Sequence, residues 1–136
     1  MNEEQARERV EEITAALLAV ADGVDRGADD IVNPVSSKAG ELESDPWRYR
    51  QVNARVTLAP EAPDTAVDLA NEMIAWLEAD GWVRGDSGLP PSRGVRETLR
   101  ANQAGGVWTA IVGGVDSEPP TLRSVYFWVV SPHVNH

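Results

Sequence analysis

WRYRQVNARVTL, residues 47–58, alternates: Val52, Ala54, Val56 and Leu58 take every second position, and Tyr49, Gln51, Asn53, Arg55 and Thr57 take the others. A period of two is that of a β-strand, whose successive side chains point to opposite faces. One apolar phase and one polar, cationic phase predict a sheet covered on one side only. The cover must come from elsewhere in the chain, and two amphipathic stretches supply it.

Upstream, Val10, Ile13, Leu17, Val20 and Val24 recur at three- and four-residue steps, the spacing of one helix face. Asn2 and Gln5 have capping-box spacing and Gly23 is the stop, so the helix is predicted over 2–22. The run AALLAVA at 15–21 has the look of a signal-peptide core, but five glutamates precede it where a signal is basic. It reads as the buried end of the helix. Residues 25–46 hold Asn33-Pro34, Ser36-Ser37, Gly40 and Asp45-Pro46 without clear periodicity. They are predicted to be a loop, with a short extended piece at Ile31–Val32.

Downstream, Val67, Ala70, Ile74 and Leu77, with Met73 alongside, make the stripe of a helix over 64–80, started by Pro63 or Asp64 and ended by Gly81. Trp82-Val83 pairs briefly with the sheet before the loop RGDSGLPPSRG at 84–94. Strands are predicted at 95–103, 107–113 and 122–131, the last alternating Val125, Phe127 and Val129 with Ser124, Tyr126 and Trp128. Gly105-Gly106 and Gly113-Gly114 flank the middle strand and read as turn glycines. The predicted fold is α+β, one domain over 1–136. It is a two-layer sandwich: a four-stranded, mostly antiparallel sheet with two helices on one face. Val10, Leu17, Val52, Val56, Ile74, Leu77, Val125 and Phe127 should form its core.

Composition narrows the chemistry. The chain has 136 residues, 42% hydrophobic and 25% charged, with a mean hydropathy of -0.32, so it can bury a core and is not a disordered tail. No window approaches the ~18 apolar residues of a transmembrane helix. With no cysteine, thiol catalysis, disulfides, zinc knuckles and iron–sulfur sites are excluded. The net charge is -10, which repels nucleic-acid phosphates and anionic lipid. That charge is uneven: residues 1–46 hold twelve acids against four bases, whereas residues 47–58 hold three arginines and no acid.

Few motifs survive. Both histidines, His133 and His136, lie beyond Pro132 on the tail, where a catalytic imidazole would lack ordered partners. Asp22, Asp25, Asp29 and Asp30 cluster, but Val24 and Arg26 occupy positions where a calcium loop needs oxygen ligands. Glycosidase-like carboxylates meet only in space, and nothing in the sequence selects a pair. No glycine pair leads from a strand into a helix with a following Gly-Lys-Ser/Thr, so there is no phosphate loop. Arg84-Gly85-Asp86 matches a short adhesion motif, which chance produces often. No catalytic residue, metal ligand or cofactor site is expected.

One constellation remains. If Val52, Val56, Val125 and Phe127 face the helices, the open face shows Tyr49, Asn53 and Arg55, then Arg96, Thr98 and Arg100, then Tyr126 and Trp128. Guanidinium pairing and aromatic stacking there could hold an extended or anionic partner. An ordinary solvent-exposed face and a homodimer interface are the competing readings. The aromatic signature and basic balance of an RNA-recognition sheet are missing.

The helix QARERVEEITAALLAVADGV, the strand WRYR and the helix AVDLANEMIAWLEADGW together resemble small actinobacterial envelope lipoproteins of the LppA-like kind. The likeness spans most of the chain and lies in composition and element order. It implies export or lipid anchoring at the envelope, with a leader and anchor cysteine ahead of this sequence; a genuine start at Met1 implies the cytoplasm. The resulting expectation is a non-catalytic binding or interaction domain, monomeric or homodimeric, that holds a protein or extended ligand on its sheet face and binds no nucleic acid. The alternatives are a cytoplasmic acidic immunity protein or chaperone that neutralises a basic partner, and last a hydrolase using carboxylates alone.

Overall fold

Helix α1 covers Glu3–Val20 and helix α2 Ala66–Ala79 in the computed structural model, which describes residues 2–38, 47–85, 94–103, 105–116 and 123–135. The capping box forms: Asn2 Oδ1 accepts from the Gln5 amide at 2.8 Å and Gln5 Oε1 from the Asn2 amide at 3.0 Å. Gly23 and Gly81 follow the two helices at positive φ, 82° and 99°, where a side chain would be strained. Helix α2 is capped by Thr65 rather than started by Pro63 or Asp64; its hydroxyl accepts from the Asp68 amide at 3.1 Å.

The strands are β1 (Ile31–Lys38), β2 (Trp47–Thr57), β3 (Val83–Arg84), β4 (Gly94–Gln103), β5 (Gly106–Asp116), β6 (Arg123–Val130) and β7 (Val134–Asn135). All pair antiparallel in the order β1-β2-β6-β5-β4-β3. Strand β7 lies beside Trp47 and Arg48 on the edge of β2 that β1 leaves open, so it prolongs the line of β6. Between them Ser131, Pro132 and His133 lie opposite only Tyr49 and Arg50, a bulge. Ser131 holds it by donating its amide to the Arg50 carbonyl and accepting the Arg50 amide, both at 2.8 Å.

The expected four-stranded sheet is therefore wrong: six strands lie side by side. The largest addition is β1, which extends the short piece expected at Ile31–Val32 through Lys38, inside the stretch otherwise expected to be loop. Pro34 and Asn33 look like breakers, but β1 is an edge strand with neighbours on one side only, where a proline's missing N–H costs no ladder bond. Strand β3 is the other edge.

Helix α1 packs over β2 and β6, and α2 over β5, β6 and β4. The strand phase beneath them holds Val52, Ala54, Val56, Val125, Phe127, Val129, Trp108, Ala110, Val112, Leu99 and Ala101, all buried. The eight residues expected as core, four on these strands and four on the helices, all lie in the buried cluster between the two layers.

Gly113 and Gly114 are not turn glycines. They sit inside β5, whose partners there are Arg96, Tyr126, Val95 and Val125. A Cβ on Gly114 would stand 2.4 Å from the Ala66 carbonyl oxygen, so its hydrogen lets the first turn of α2 press on the sheet. Gly114→Ala is expected to cost about 2 kcal/mol, because backbone rather than a flexible side chain must give way. Urea denaturation measures it; a loss below about 0.5 kcal/mol would mean that α2 shifts freely.

Candidate functional site

The register aligns the outward-pointing side chains in rows. One row crosses the sheet through Ile31, Arg55, Tyr126, Gly113 and Arg96; the next runs through Asn33, Asn53, Trp128, Ile111 and Thr98. Gly113 decides the first row. A Cβ there would stand 2.4 Å from Cζ and the hydroxyl oxygen of Tyr126, so the tyrosine leans from β6 across β5, towards Arg96 on β4. Aromatic cover of a strand glycine also shields the ladder beneath. The ring thus forms a floor between two arginines.

Beside it opens a concavity of ≈ 400 Å³ lined by Ile31, Asn33, Asn53, Ala54, Arg55, Arg96, Tyr126 and Trp128. Trp128 is 43% exposed and Ile31 60%, while Tyr126 and Asn53 are half-buried. Gln51 Nε2 donates to Asn53 Oδ1 at 2.8 Å, which orients that amide.

Charge separates this face from the rest of the molecule. Among arginines whose side chains are described, Arg7, Arg9, Arg26, Arg50, Arg84 and Arg123 each pair with a carboxylate. Arg55, Arg96 and Arg100 are exposed and make no ion pair or hydrogen bond with any described residue. The outward phase of the strands carries no Asp or Glu. In a chain of net charge -10, outward strand residues without an acid and with three guanidiniums unpaired among the described residues make a local inversion of sign.

Of the residues marked from sequence, Asn53, Arg55, Arg96, Tyr126 and Trp128 come together at the concavity. Tyr49 and Arg100 do not belong there, and this corrects the expected grouping. Tyr49 lies at the bulge against His133, ring centroids 5.7 Å apart, six residues along β2 from Arg55. Arg100 faces Val83 near the β3 edge, four residues along β4 from Arg96. Thr98 is on the same phase, half-buried. Ile31 and Asn33 join the concavity without a sequence signal for it, because the extended piece expected at Ile31–Val32 runs on as an eight-residue strand and the alternation in IVN is too short to register.

The other motifs resolve structurally. Arg26 ties the acidic segment together, donating to Asp30 at 2.7 and 3.2 Å and to the Ala21 and Val24 carbonyls at 2.8 and 2.7 Å. The Asp30 hydrogen bonds raise the Arg26 guanidinium above its ordinary range, against the pull of burial. Arg84 is engaged by Glu78 at 2.9 Å, and Asp86 of the adhesion tripeptide lies outside the described residues, as does His136. Among the described residues, no three His, Asp or Glu side chains gather to hold a metal ion. No described helix is long and apolar enough to cross a membrane. Comparison of the chain with protein-family models, curated proteins and solved structures finds no match.

Proposed function

We propose that the chain is a non-catalytic binding domain of the cell envelope, with the concavity on its outer sheet face as the ligand site. The observation that carries this reading is the row Arg55–Tyr126–Gly113–Arg96, in which two arginines without a partner among the described residues flank an aromatic floor. Exposed cations without a described partner and an exposed tryptophan are common anchors at binding sites. Among the described residues, the lining holds neither carboxylate nor imidazole, the groups that most often carry proton transfer, which favours binding over catalysis. The envelope location rests on the resemblance to envelope lipoproteins; a leader and lipid-attachment cysteine encoded ahead of Met1 would support it. The competing reading places a basic partner on the exposed glutamates of α1, Glu4, Glu8, Glu11 and Glu12.

A library of small fragments titrated into the labelled protein, read by amide chemical shifts, distinguishes these surfaces. Hits are expected to gather on Asn53, Arg55, Tyr126 and Trp128, because fragments find concave, partly apolar sites. Hits clustering on α1, or spread evenly over the surface, would reject the sheet face.

A further inference from the structure

We infer, resting on that reading of the face, that its ligand is a small oxyanion carried on a flat apolar body. The carboxylate or phosphate sits between Arg55 and Arg96, and the body lies against Tyr126 and Trp128. Both arginines line one concavity from opposite ends of a row, roughly 14 Å apart at Cα across three strand spacings. Neither pairs with a described carboxylate, so no ion pair among the described residues must break for a ligand to bind. The guanidinium fork matches the two oxygens of a carboxylate or phosphate. Gly113, by leaving room for Tyr126 to lie across β5, turns the space between the two charges into a stacking surface. Asn33 and Asn53 add neutral hydrogen-bonding groups at the β1 side.

Size and charge select against larger occupants. A volume of ≈ 400 Å³ lies in the range of small-molecule sites, about 300–1,000 Å³. A second copy docked face to face would set arginine against arginine, with no acid among the outward residues of the strands to lie between them. A nucleic-acid strand would meet Arg55, Arg96 and, further along β4, Arg100, but also the field of a chain at -10.

The test is calorimetric and amide-shift titration of the full chain. The probes are indole-3-acetate and 1-naphthyl phosphate, their neutral counterparts indole-3-acetamide and 1-naphthol, inorganic phosphate, and oligothymidylate. Both aryl anions are expected to bind at millimolar concentration or below, shifting the Arg55, Arg96, Tyr126 and Trp128 amides. Each neutral counterpart should bind at least about tenfold more weakly, since a charge-assisted hydrogen bond is lost. Inorganic phosphate, lacking the stacked body, should also be weaker than naphthyl phosphate. Added salt should weaken both aryl anions. R55A/R96A should lose at least about tenfold while keeping dispersed spectra, and R100A, on the same face but off the concavity, should stay within about twofold. Equal binding of neutral and anionic probes at this face overturns the oxyanion assignment and leaves the binding site standing. Binding of the anions elsewhere, or no binding at all, overturns the assignment. So does displacement of the aryl anions by oligothymidylate, or dimerisation through this face seen in sedimentation.

Discussion

Truncation of Phe127 to alanine is expected to cost about 3–5 kcal/mol of stability. Phe127 is 1% exposed on β6, the strand over which both helices pack. Its cross-strand neighbours on the covered face are Ala54 and Val112. Ala54 is too small to close the void, and Val112 is held by the β4–β5–β6 ladder, so collapse would be partial and the cavity term large. Phe127→Leu keeps most of the volume and should cost about 1–1.5 kcal/mol. Urea denaturation followed by far-UV circular dichroism checks both, and an unchanged slope would show that stability alone has moved. A loss below about 1.5 kcal/mol for the alanine variant would mean that the helices close over the space.

Arg123→Ala should cost about 3 kcal/mol, an effect that charge pairing alone does not explain. Arg123 opens β6 and donates to the carbonyls of Ala59, Pro60 and Ala62 at 3.0–3.2 Å, to that of Asp64, and to Asp116 Oδ1 at 3.2 Å. Asp116 accepts in turn from the Ala66 and Val67 amides at 3.0 and 3.1 Å. One guanidinium thus gathers the irregular link from β2 to α2, and its carboxylate partner caps the helix that the link delivers. Arg123 is 11% exposed at its side chain, so water replaces these bonds only in part. The sharper readout is hydrogen exchange: Ala66 and Val67 amides should lose protection in Arg123→Ala before the rest of α2 does. Arg123→Lys, a single ammonium without the fork, should recover less than half of the loss. A loss below about 1 kcal/mol with protection intact would show that α2 holds its own start.

The site was partly legible and the fold more so, for reasons visible in single residues. Arg55, Tyr126 and Trp128 are each out of phase with strongly apolar neighbours, so alternation alone turns them outward. Arg96 and Arg100 were harder, because Glu97 shares a phase with Val95 and Leu99; Glu97 sits under the β3 edge, where Arg84 approaches it at 3.9 Å. That these residues form rows, and that Arg100 and Tyr49 fall outside the concavity, depends on strand order and register, which no local pattern carries.

From the sequence alone follow the two amphipathic helices, the capping box of the first and the glycines that end both, the four main strands, the core face and the sign of charge on the open face. Each is a property of neighbours along the chain, read through periods of two and 3.6. Tertiary structure alone decided that IVNPVSSK is a strand, since an edge strand draws its hydrogen bonds from β2 and tolerates Pro34 on its free side. It also decided that Gly113 and Gly114 are contact points rather than turns, one under the Tyr126 ring and one under the Ala66 carbonyl. The physical reason is common to both: a residue's fitness there depends on what approaches from β6 and α2, and the chain distance to those partners leaves no trace in local composition.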